Sequence, residues 1–113
     1  MIIIYQHPMC RNAKTCVKLL ETNFENDYDV KHEGLDLSED KFREIVKLLN
    51  CRPIDLVRTG SIVWKTLLKN LDFTDDELIK VILKFPILIK SPIIINGNKA
   101  VIGRPPEKIF EII

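Results

Sequence analysis

Residues 2–20 read IIIYQHPMCRNAKTCVKLL, and the order of apolar and polar residues in this stretch decides the expected fold. The apolar run from Ile2 to Tyr5 predicts a short buried strand. Behind Cys10, apolar residues recur at the spacing of one helix face. These residues are Ala13, Cys16, Val17 and Leu20. Cys10 is therefore expected at the junction between a strand and a helix.

That position favours an ionised thiol at Cys10. The free N–H groups and the positive dipole end of the helix would point at its sulfur. Thiols in such places have pKa values that fall to roughly 3.5–7.5, from about 8.5 for a free thiol. The partner position of a Cys-x-x-Cys pair is occupied by Ala13, so the pattern is not that of a dithiol enzyme. We interpret Cys16 as a packing residue, and Cys51 as either a packing residue or an incidental free thiol.

Composition limits the class of protein. A chain of 113 residues with 46% apolar content fits one domain over residues 1–113 with a sizeable core. Its 17 basic and 16 acidic residues leave no basic surface for nucleic acid. The sequence shows no signal peptide and no apolar run of the ~20 residues that a membrane span needs. Three cysteines without metal-like spacing predict neither a disulfide framework nor a metal site. We expect a cytoplasmic protein with no bound cofactor and no membrane partner.

The middle of the chain carries helical patterns. Ser38 is expected to cap a helix that runs to about Asn50. Another short helix is predicted over residues 62–71. The sequence Thr74-Asp75-Asp76-Glu77 is a capping box, and the helix that it opens should stop before Pro86. The core candidates of the short helix are Trp64, Leu67, Leu68 and Leu71.

Strand patterns lie on both sides of this helical middle. A weak alternation from Asp27 to His32 predicts a second strand. Residues Ile93 to Ile95 and Ala100 to Ile102 flank Asn96-Gly97, which predicts a β-hairpin with a two-residue type I′ turn. A last helix is predicted from Glu107 to Ile113.

The element order is therefore β-α-β, a helical middle, then β-β-α. A β-α-β unit joined to a hairpin gives a four-stranded mixed sheet flanked by helices. This is an α/β, thioredoxin-like fold with a helical insertion in the middle. On this layout Pro92, just ahead of the third strand, is expected to be a cis-proline that faces the loop of Cys10.

Five motifs, in the same order, resemble the glutaredoxin-linked arsenate reductases (ArsC) and the related Spx-type proteins. The resemblance covers essentially the whole chain. The motifs are Pro8-Met9-Cys10, Leu56-Val57-Arg58, the run from Phe73 to Ile79, Pro86-Ile87-Leu88-Ile89 running into Pro92-Ile93, and Arg104-Pro105. The resemblance implies that Cys10 is the nucleophile toward arsenate and that Arg58 and Arg104 hold the oxyanion. It also implies that glutathione, with glutaredoxin, regenerates the thiol.

Further candidates for substrate binding surround these motifs. They are His7, Lys14, Lys90, Ser91 and Pro92. The family carries a histidine at the position of Gln6, one residue before His7. It carries an arginine immediately before the proline, where this chain has Ser91. Lys90 is the candidate replacement for that arginine.

Three hypotheses follow for function. The first is an arsenate reductase that uses Cys10 and a small thiol such as glutathione. The second is an Spx-like regulatory protein that binds RNA polymerase. The third is a glutathione-dependent thiol-transfer protein with another substrate. An arsenate and glutathione assay, beside a polymerase pull-down, would separate them.

Overall fold

The computed structural model describes residues 2–7, 10–23, 28–32 and 37–113, leaving the side chains of residues 23 and 32 undescribed. Its strands and α-helices follow the predicted order. They are β1 (Ile2–Gln6), α1 (Arg11–Asn23), β2 (Tyr28–His32), α2 (Glu39–Leu49), α3 (Asp75–Lys84), β3 (Ile93–Asn96) and β4 (Lys99–Ile102). Short 3₁₀-helices cover Pro53–Leu56, Pro86–Leu88 and Pro106–Glu111, and a π-helical turn covers Trp64–Leu68.

The four strands form one mixed sheet in the order β2-β1-β3-β4. Strand β1 pairs in parallel with β2 and antiparallel with β3, and β3 pairs antiparallel with β4. The register sets Tyr5 opposite Ile93, and Ile93 opposite Ile102. The predicted four-stranded mixed sheet is therefore confirmed. The register also brings the end of β1, the start of β3 and the end of β4 to the same edge.

Both faces of the sheet are apolar and covered, because successive strand residues point to opposite faces. In β3, Ile93 and Ile95 pack with Phe42 of α2 and Ile82 of α3. Their neighbour Ile94 packs on the other face, against α1 and the 3₁₀-helix Pro106–Glu111. The residues buried on this second face are Ile2, Ile4, Cys16, Leu20, Ile94, Ile109 and Ile112. The predicted apolar stripe of α1 is confirmed as its core side.

The two cap predictions are also confirmed. The Ser38 hydroxyl accepts a hydrogen bond from the N–H of Lys41 at 3.1 Å, and α2 begins one residue later. Thr74 accepts from the N–H of Glu77 at 3.2 Å while the Glu77 carboxylate accepts from the N–H of Thr74 at 3.0 Å. Each side chain satisfies a donor that a helix start leaves open. Helix α3 ends at Lys84, before Pro86, as expected.

The helix predicted over residues 62–71 is shorter and less buried than its pattern suggests. Only Leu68 of its four core candidates is buried; Trp64 is half-buried, while Leu67 and Leu71 are exposed over more than half of their surface. A π-helical turn winds wider than an α-helix, so apolar positions at α-helical spacing no longer share one face. The prediction of Leu67 and Leu71 as core residues was wrong.

Three boundaries also differ from the sequence pattern. Asn96 pairs with Lys99, so the hairpin turn is Gly97-Asn98. Gly97 has a φ of +63°, whereas Asn50 is the only described non-glycine residue with positive φ, so the turn cannot be type I′. Helix α1 extends to Asn23, three residues beyond Leu20, the last residue of its predicted apolar stripe. The last helix is a 3₁₀-helix over Pro106–Glu111. The predicted strand residue 27 lies outside the described residues.

Two features complete the description of the fold. The Ser91–Pro92 peptide bond is cis, as predicted. Within the part of the chain that the structure describes, no helix is both long enough and apolar enough to cross a membrane.

Candidate active site

Backbone pairing gathers the site at one edge of the sheet. Strand β1 ends at Gln6, and Cys10 opens α1 after a short loop whose residues 8 and 9 lie outside the described part of the chain. Ser91 and Pro92 precede β3, which runs beside β1. The N–H of Gly103 donates to the carbonyl of Pro92 at 2.9 Å, which fixes the segment after β4 against the start of β3. Residues distant in sequence therefore meet at the amino end of α1.

A second pairing adds the middle of the chain. Val57 forms an antiparallel bridge with Ile89. The N–H of Arg58 donates to the carbonyl of Leu88 at 2.7 Å, and the N–H of Lys90 donates to the carbonyl of Leu56 at 2.8 Å. These bonds fix the segment carrying Arg58 beside the segment that leads into Ser91. The helical insertion thereby supplies a cation to the site.

Cys10 occupies the position of an N-cap residue. Its carbonyl accepts from the N–H of Lys14 at 3.3 Å, the first bond of α1. The backbone N–H groups of Ala13 and Asn12 lower the pKa of its sulfur, which stands in the place of a capping oxygen. The side chain is nearly buried, with 9% of its surface exposed. The helix start therefore holds the sulfur in a fixed place at the edge of a cavity.

Ser91 lies directly against the sulfur. It is fully buried, the only buried polar residue in the described part of the chain. Its hydroxyl accepts a hydrogen bond from the N–H of His7 at 2.9 Å. Its carbonyl accepts from the Cys10 thiol at 3.4 Å. Ser91 thus joins the end of β1 to the start of α1 through the sulfur.

Opposing influences set the pKa of Cys10. Burial raises the pKa, and it is the largest single influence. The hydrogen bonds from the Ser91 hydroxyl and from the N–H groups of Ala13 and Asn12 lower it, as does the charge of Arg58. The balance leaves the pKa below its ordinary value. Among the influences that lower the pKa, hydrogen bonds to the sulfur therefore outweigh the charge of Arg58.

Arg58 presents an unsatisfied cation to the same site. Its Nε–H donates to the carbonyl of Ile89 at 2.9 Å, which fixes the plane of the guanidinium. Its Nη2 is buried and has no hydrogen-bond partner among the described residues. No carboxylate of the described residues forms an ion pair with it. A buried charged donor without a partner is costly, so this nitrogen is suited to an anion that enters from outside.

One cavity brings the predicted catalytic residues together. It has a volume of about 510 Å³. The residues that line it are His7, Cys10, Arg11, Asn12, Arg58 and Arg104. Arg104 is exposed at its rim, and its N–H donates to the carbonyl of Ile102 at 2.8 Å. Chemically, the cavity offers a nucleophilic sulfur beside a buried and an exposed guanidinium donor, which suits a small oxyanion.

The other predicted residues lie around this cavity without lining it. Lys14 is exposed on α1, and Ser91 and Pro92 are buried beneath the sulfur. Lys90 lines a neighbouring groove of about 710 Å³. Its remaining lining residues are Val57, Arg58, Thr59, Gly60, Ser61, Ile62, Val63, Ile87 and Arg104. Cavity and groove share two arginines, so a ligand in the groove would lie next to the Cys10 site.

The two remaining thiols have different surroundings. Cys16 is completely buried, and burial, with the charges of Cys10 and Glu107, raises its pKa to about 11. Cys51 is half-buried, and its pKa is raised by burial and by Asp55. All three cysteines are free thiols. The interpretation of Cys16 as a packing residue is confirmed by its burial.

Sequence reasoning missed two parts of the site. It treated Ser91 as a missing cation, whereas the structure makes it a hydrogen-bond partner of the sulfur. It also passed over Asn12, which lines the cavity and supplies a backbone N–H to the sulfur. The signal for Asn12 was present, because it stands two residues after an N-cap position. No local signal pointed to Ser91, because it lies 81 positions from Cys10.

Comparison with known proteins gives one consistent result. The model of the ArsC family matches residues 5–112. An arsenate reductase of Haemophilus influenzae is 36% identical over 114 residues, covering 99% of this chain and 98% of the relative.

Solved structures agree over the full length. A Yersinia pestis protein superposes with a TM-score of 0.90 at 32% identity, covering 99% of this chain and 100% of that one. An arsenate reductase from Vibrio cholerae superposes with a TM-score of 0.84 at 25% identity, covering 99% and 97%. These neighbours have the thioredoxin-like fold, which confirms the predicted fold class.

Proposed function

Because this chain belongs to the ArsC family, we propose that it is a thiol-dependent oxidoreductase that reduces arsenate to arsenite, with Cys10 as its nucleophile. Relatives that it matches along nearly their whole length are named arsenate reductases. In this proposal Arg58 and Arg104 bind the oxyanion. The proposal assigns the recovery of the thiol to glutathione and glutaredoxin.

The observation that carries the proposal is the guanidinium of Arg58. Its Nη2 is buried, unpaired among the described residues, and part of a cavity that Cys10 also lines. By contrast, the exposed Arg52 pairs with Asp75 at 3.0 Å. A fixed, uncompensated guanidinium beside a low-pKa thiol is the arrangement that an anionic electrophile requires.

The chemistry follows in two balanced steps. The Cys10 thiolate attacks arsenic, an oxygen leaves as water with the protons of the acid, and a sulfur–arsenic(V) bond forms. A thiolate of glutathione then attacks the Cys10 sulfur and forms a mixed disulfide. The electron pair of the broken sulfur–arsenic bond stays on arsenic, which departs as arsenite. Glutaredoxin reduces the mixed disulfide and returns Cys10 to the thiol. Arg58 and Arg104 would hold the charge of the oxyanion during the attack.

The neighbouring groove suits the reductant. It carries Arg58, Lys90 and Arg104, and no acidic side chain is among its lining residues. Ile62 and Ile87 give it exposed apolar walls. A small peptide thiol with free carboxylates complements these charges. Because the groove shares two arginines with the Cys10 cavity, a thiol docked there lies beside the sulfur that it must reach.

Turnover of arsenate tests the proposal. We expect arsenate-dependent oxidation of glutathione in the presence of glutaredoxin and its reductase. Cys10→Ser should abolish this oxidation. Cys51→Ser should retain it, because Cys51 lines neither the cavity nor the neighbouring groove. Absence of arsenate turnover in the wild-type protein at any glutathione concentration would refute the assignment.

A second candidate is glutathione-dependent thiol transfer with another substrate, and Ser91 favours it. The family arginine at this position would add a further cation to Arg58, Arg104 and Arg11, the arginines that line the described cavity. Reduction of a small disulfide by glutathione, dependent on Cys10 and unaffected by arsenate, would support this activity. Binding of RNA polymerase, the Spx-like alternative, stays a prediction for a pull-down.

A further inference from the structure

We propose that Ser91 is a positioning residue for the nucleophile: its carbonyl binds the Cys10 thiol, and its hydroxyl donates to the sulfur once the thiol is ionised. Ser91 therefore occupies the position at which the family has an arginine, but its role differs. It stabilises the attacking sulfur instead of the substrate. The inference concerns the thiol alone, so it holds for arsenate and for any other electrophile.

The Ser91 hydroxyl can both donate and accept hydrogen bonds. A hydroxyl has one hydrogen to donate and two lone pairs to accept. One lone pair receives the N–H of His7 at 2.9 Å. The residue is fully buried, so water does not compete for the hydrogen. The carbonyl of the same residue lies 3.4 Å from Cys10 Sγ, so the ionised sulfur is the acceptor assigned to that hydrogen.

The thiol and thiolate forms of Cys10 make different hydrogen bonds with Ser91. Its S–H donates to the carbonyl oxygen of Ser91 at 3.4 Å. A thiolate has no hydrogen to donate, so ionisation removes this bond and leaves a sulfur that can only accept. The hydroxyl of the same residue then donates to it, beside the N–H groups of Asn12 and Ala13. Each protonation state of Cys10 thus has a hydrogen bond to Ser91.

The surrounding charges are separate from this contact. His7 and Arg11 face the cavity from the β1 and α1 sides, and Arg58 and Arg104 face it from the middle and last segments. Lys14 lies one turn along α1. Replacing Ser91 leaves all of these groups in place. A change in the ionisation of Cys10 then reports the loss of the hydroxyl.

Site-resolved alkylation measures the effect. Iodoacetamide labelling of Cys10 is followed by mass spectrometry against pH in the wild type, Ser91→Ala and Ser91→Thr. We expect the midpoint to rise by about one pH unit in Ser91→Ala, the size of one hydrogen bond to a charged group. Below the wild-type midpoint the rate should fall about five- to tenfold, because the thiolate is the nucleophile. Ser91→Thr, which keeps the hydroxyl, should return the midpoint toward the wild-type value.

Ser38→Ala is the matched control. It deletes the same hydroxyl, which caps α2 by accepting the N–H of Lys41, away from the cavity. It should lower the melting temperature without moving the Cys10 midpoint. A midpoint in folded Ser91→Ala within about 0.2 units of the wild type would overturn the proposal.

A measurement on the wild type covers the case in which Ser91→Ala does not fold. The amide resonance of His7, whose N–H rests on the Ser91 hydroxyl, should titrate with the Cys10 midpoint. It should lose that titration in Cys10→Ala. An amide of His7 that does not respond to the ionisation of Cys10 would overturn the proposal without any Ser91 variant.

Discussion

At the residue scale, one chain holds three cysteines whose surroundings assign them different chemistry. Cys10 accepts hydrogen bonds from a helix start and a buried hydroxyl, and these outweigh the effect of burial on its pKa. Cys16 has burial without such donors, and its pKa rises to about 11. The difference between a nucleophile and a packing residue thus comes from neighbouring donors.

The first prediction is selective alkylation of Cys10. Its rate should rise with pH through a midpoint below that of an ordinary thiol, because its lowered pKa leaves the thiolate populated at lower pH. At pH 7 a thiol of pKa about 11 is ionised in about one molecule in 10⁴, so Cys16 should stay unlabelled. Peptide mapping after brief labelling measures this. Equal labelling of Cys10 and Cys51 at neutral pH would contradict it.

The second prediction concerns Arg58. Arg58→Ala should weaken the binding of arsenate or sulfate by about 1.5–3 kcal/mol, since it removes a charged donor whose Nη2 is buried. Arg104→Ala should cost less, because Arg104 is exposed and water replaces its bonds. Isothermal titration of each variant gives the affinities.

Arg52→Ala is the control for this series. Arg52 is exposed and pairs with Asp75 at 3.0 Å, outside the cavity. Its loss should leave anion affinity unchanged. If Arg58→Ala and Arg52→Ala bind the anion alike, Arg58 is not an anion ligand.

At the element scale, the segment after β4 approaches α1 closely. This approach determines the position of Arg104. Gly103 makes this approach possible. A Cβ at Gly103 would lie 2.8 Å from Cys16 Sγ and 2.9 Å from atoms of both Ile94 and Pro92. These contacts are shorter than van der Waals distance, and all three neighbours are buried.

The third prediction is therefore that Gly103→Ala destabilises the fold by about 1–3 kcal/mol, the usual cost of overpacking a core. It should also weaken anion binding, since Arg104 is the next residue and moves with the backbone. Urea unfolding and anion titration measure the two effects. Gly60→Ala is the control, because a Cβ there meets no atom within 4 Å. Equal stability of Gly103→Ala and the wild type would show that the segment shifts without cost.

The same scale shows what the sequence could predict. Helix starts at Ser38 and Thr74 follow local capping rules, so they were predictable to the residue. The hairpin turn was placed one residue early, because Asn-Gly also fits a register in which glycine opens the turn. Leu67 and Leu71 were wrongly expected in the core, since periodicity cannot reveal a π-helical turn.

Some residues of the candidate site could likewise be predicted from the sequence, and others could not. Cys10 was predictable, because a strand-to-helix junction is a local pattern. The contact of Ser91 with Cys10 was not, because it spans 81 positions and depends on the register of β1 against β3. Resemblance to a family supplied Arg58 and Arg104, and the structure supplied the reason they meet.

At the scale of the whole molecule, the helical insertion and the sheet together form two adjoining concave regions. The cavity at Cys10 and the groove along the insertion share Arg58 and Arg104. Lys90 is half-buried and lines the groove but not the cavity. This arrangement fits the proposed reaction, in which an oxyanion and a reductant would reach one sulfur in turn.

The fourth prediction follows from this division. With Cys10 held as a mixed disulfide with thionitrobenzoate, in a Cys51→Ser background, release of thionitrobenzoate reports the attacking thiol without arsenate. Lys90→Ala should raise the glutathione concentration at half-maximal rate about three- to tenfold, the size of one partly screened charge contact. The rate with 2-mercaptoethanol, which carries no carboxylate, should stay unchanged. Lys99→Ala, at an exposed position on β4 outside the groove, should change neither rate.

If Lys90→Ala slows both thiols equally, its effect is on the sulfur or the fold, and the groove does not bind the reductant. If it slows neither, the carboxylates of glutathione bind elsewhere on the molecule.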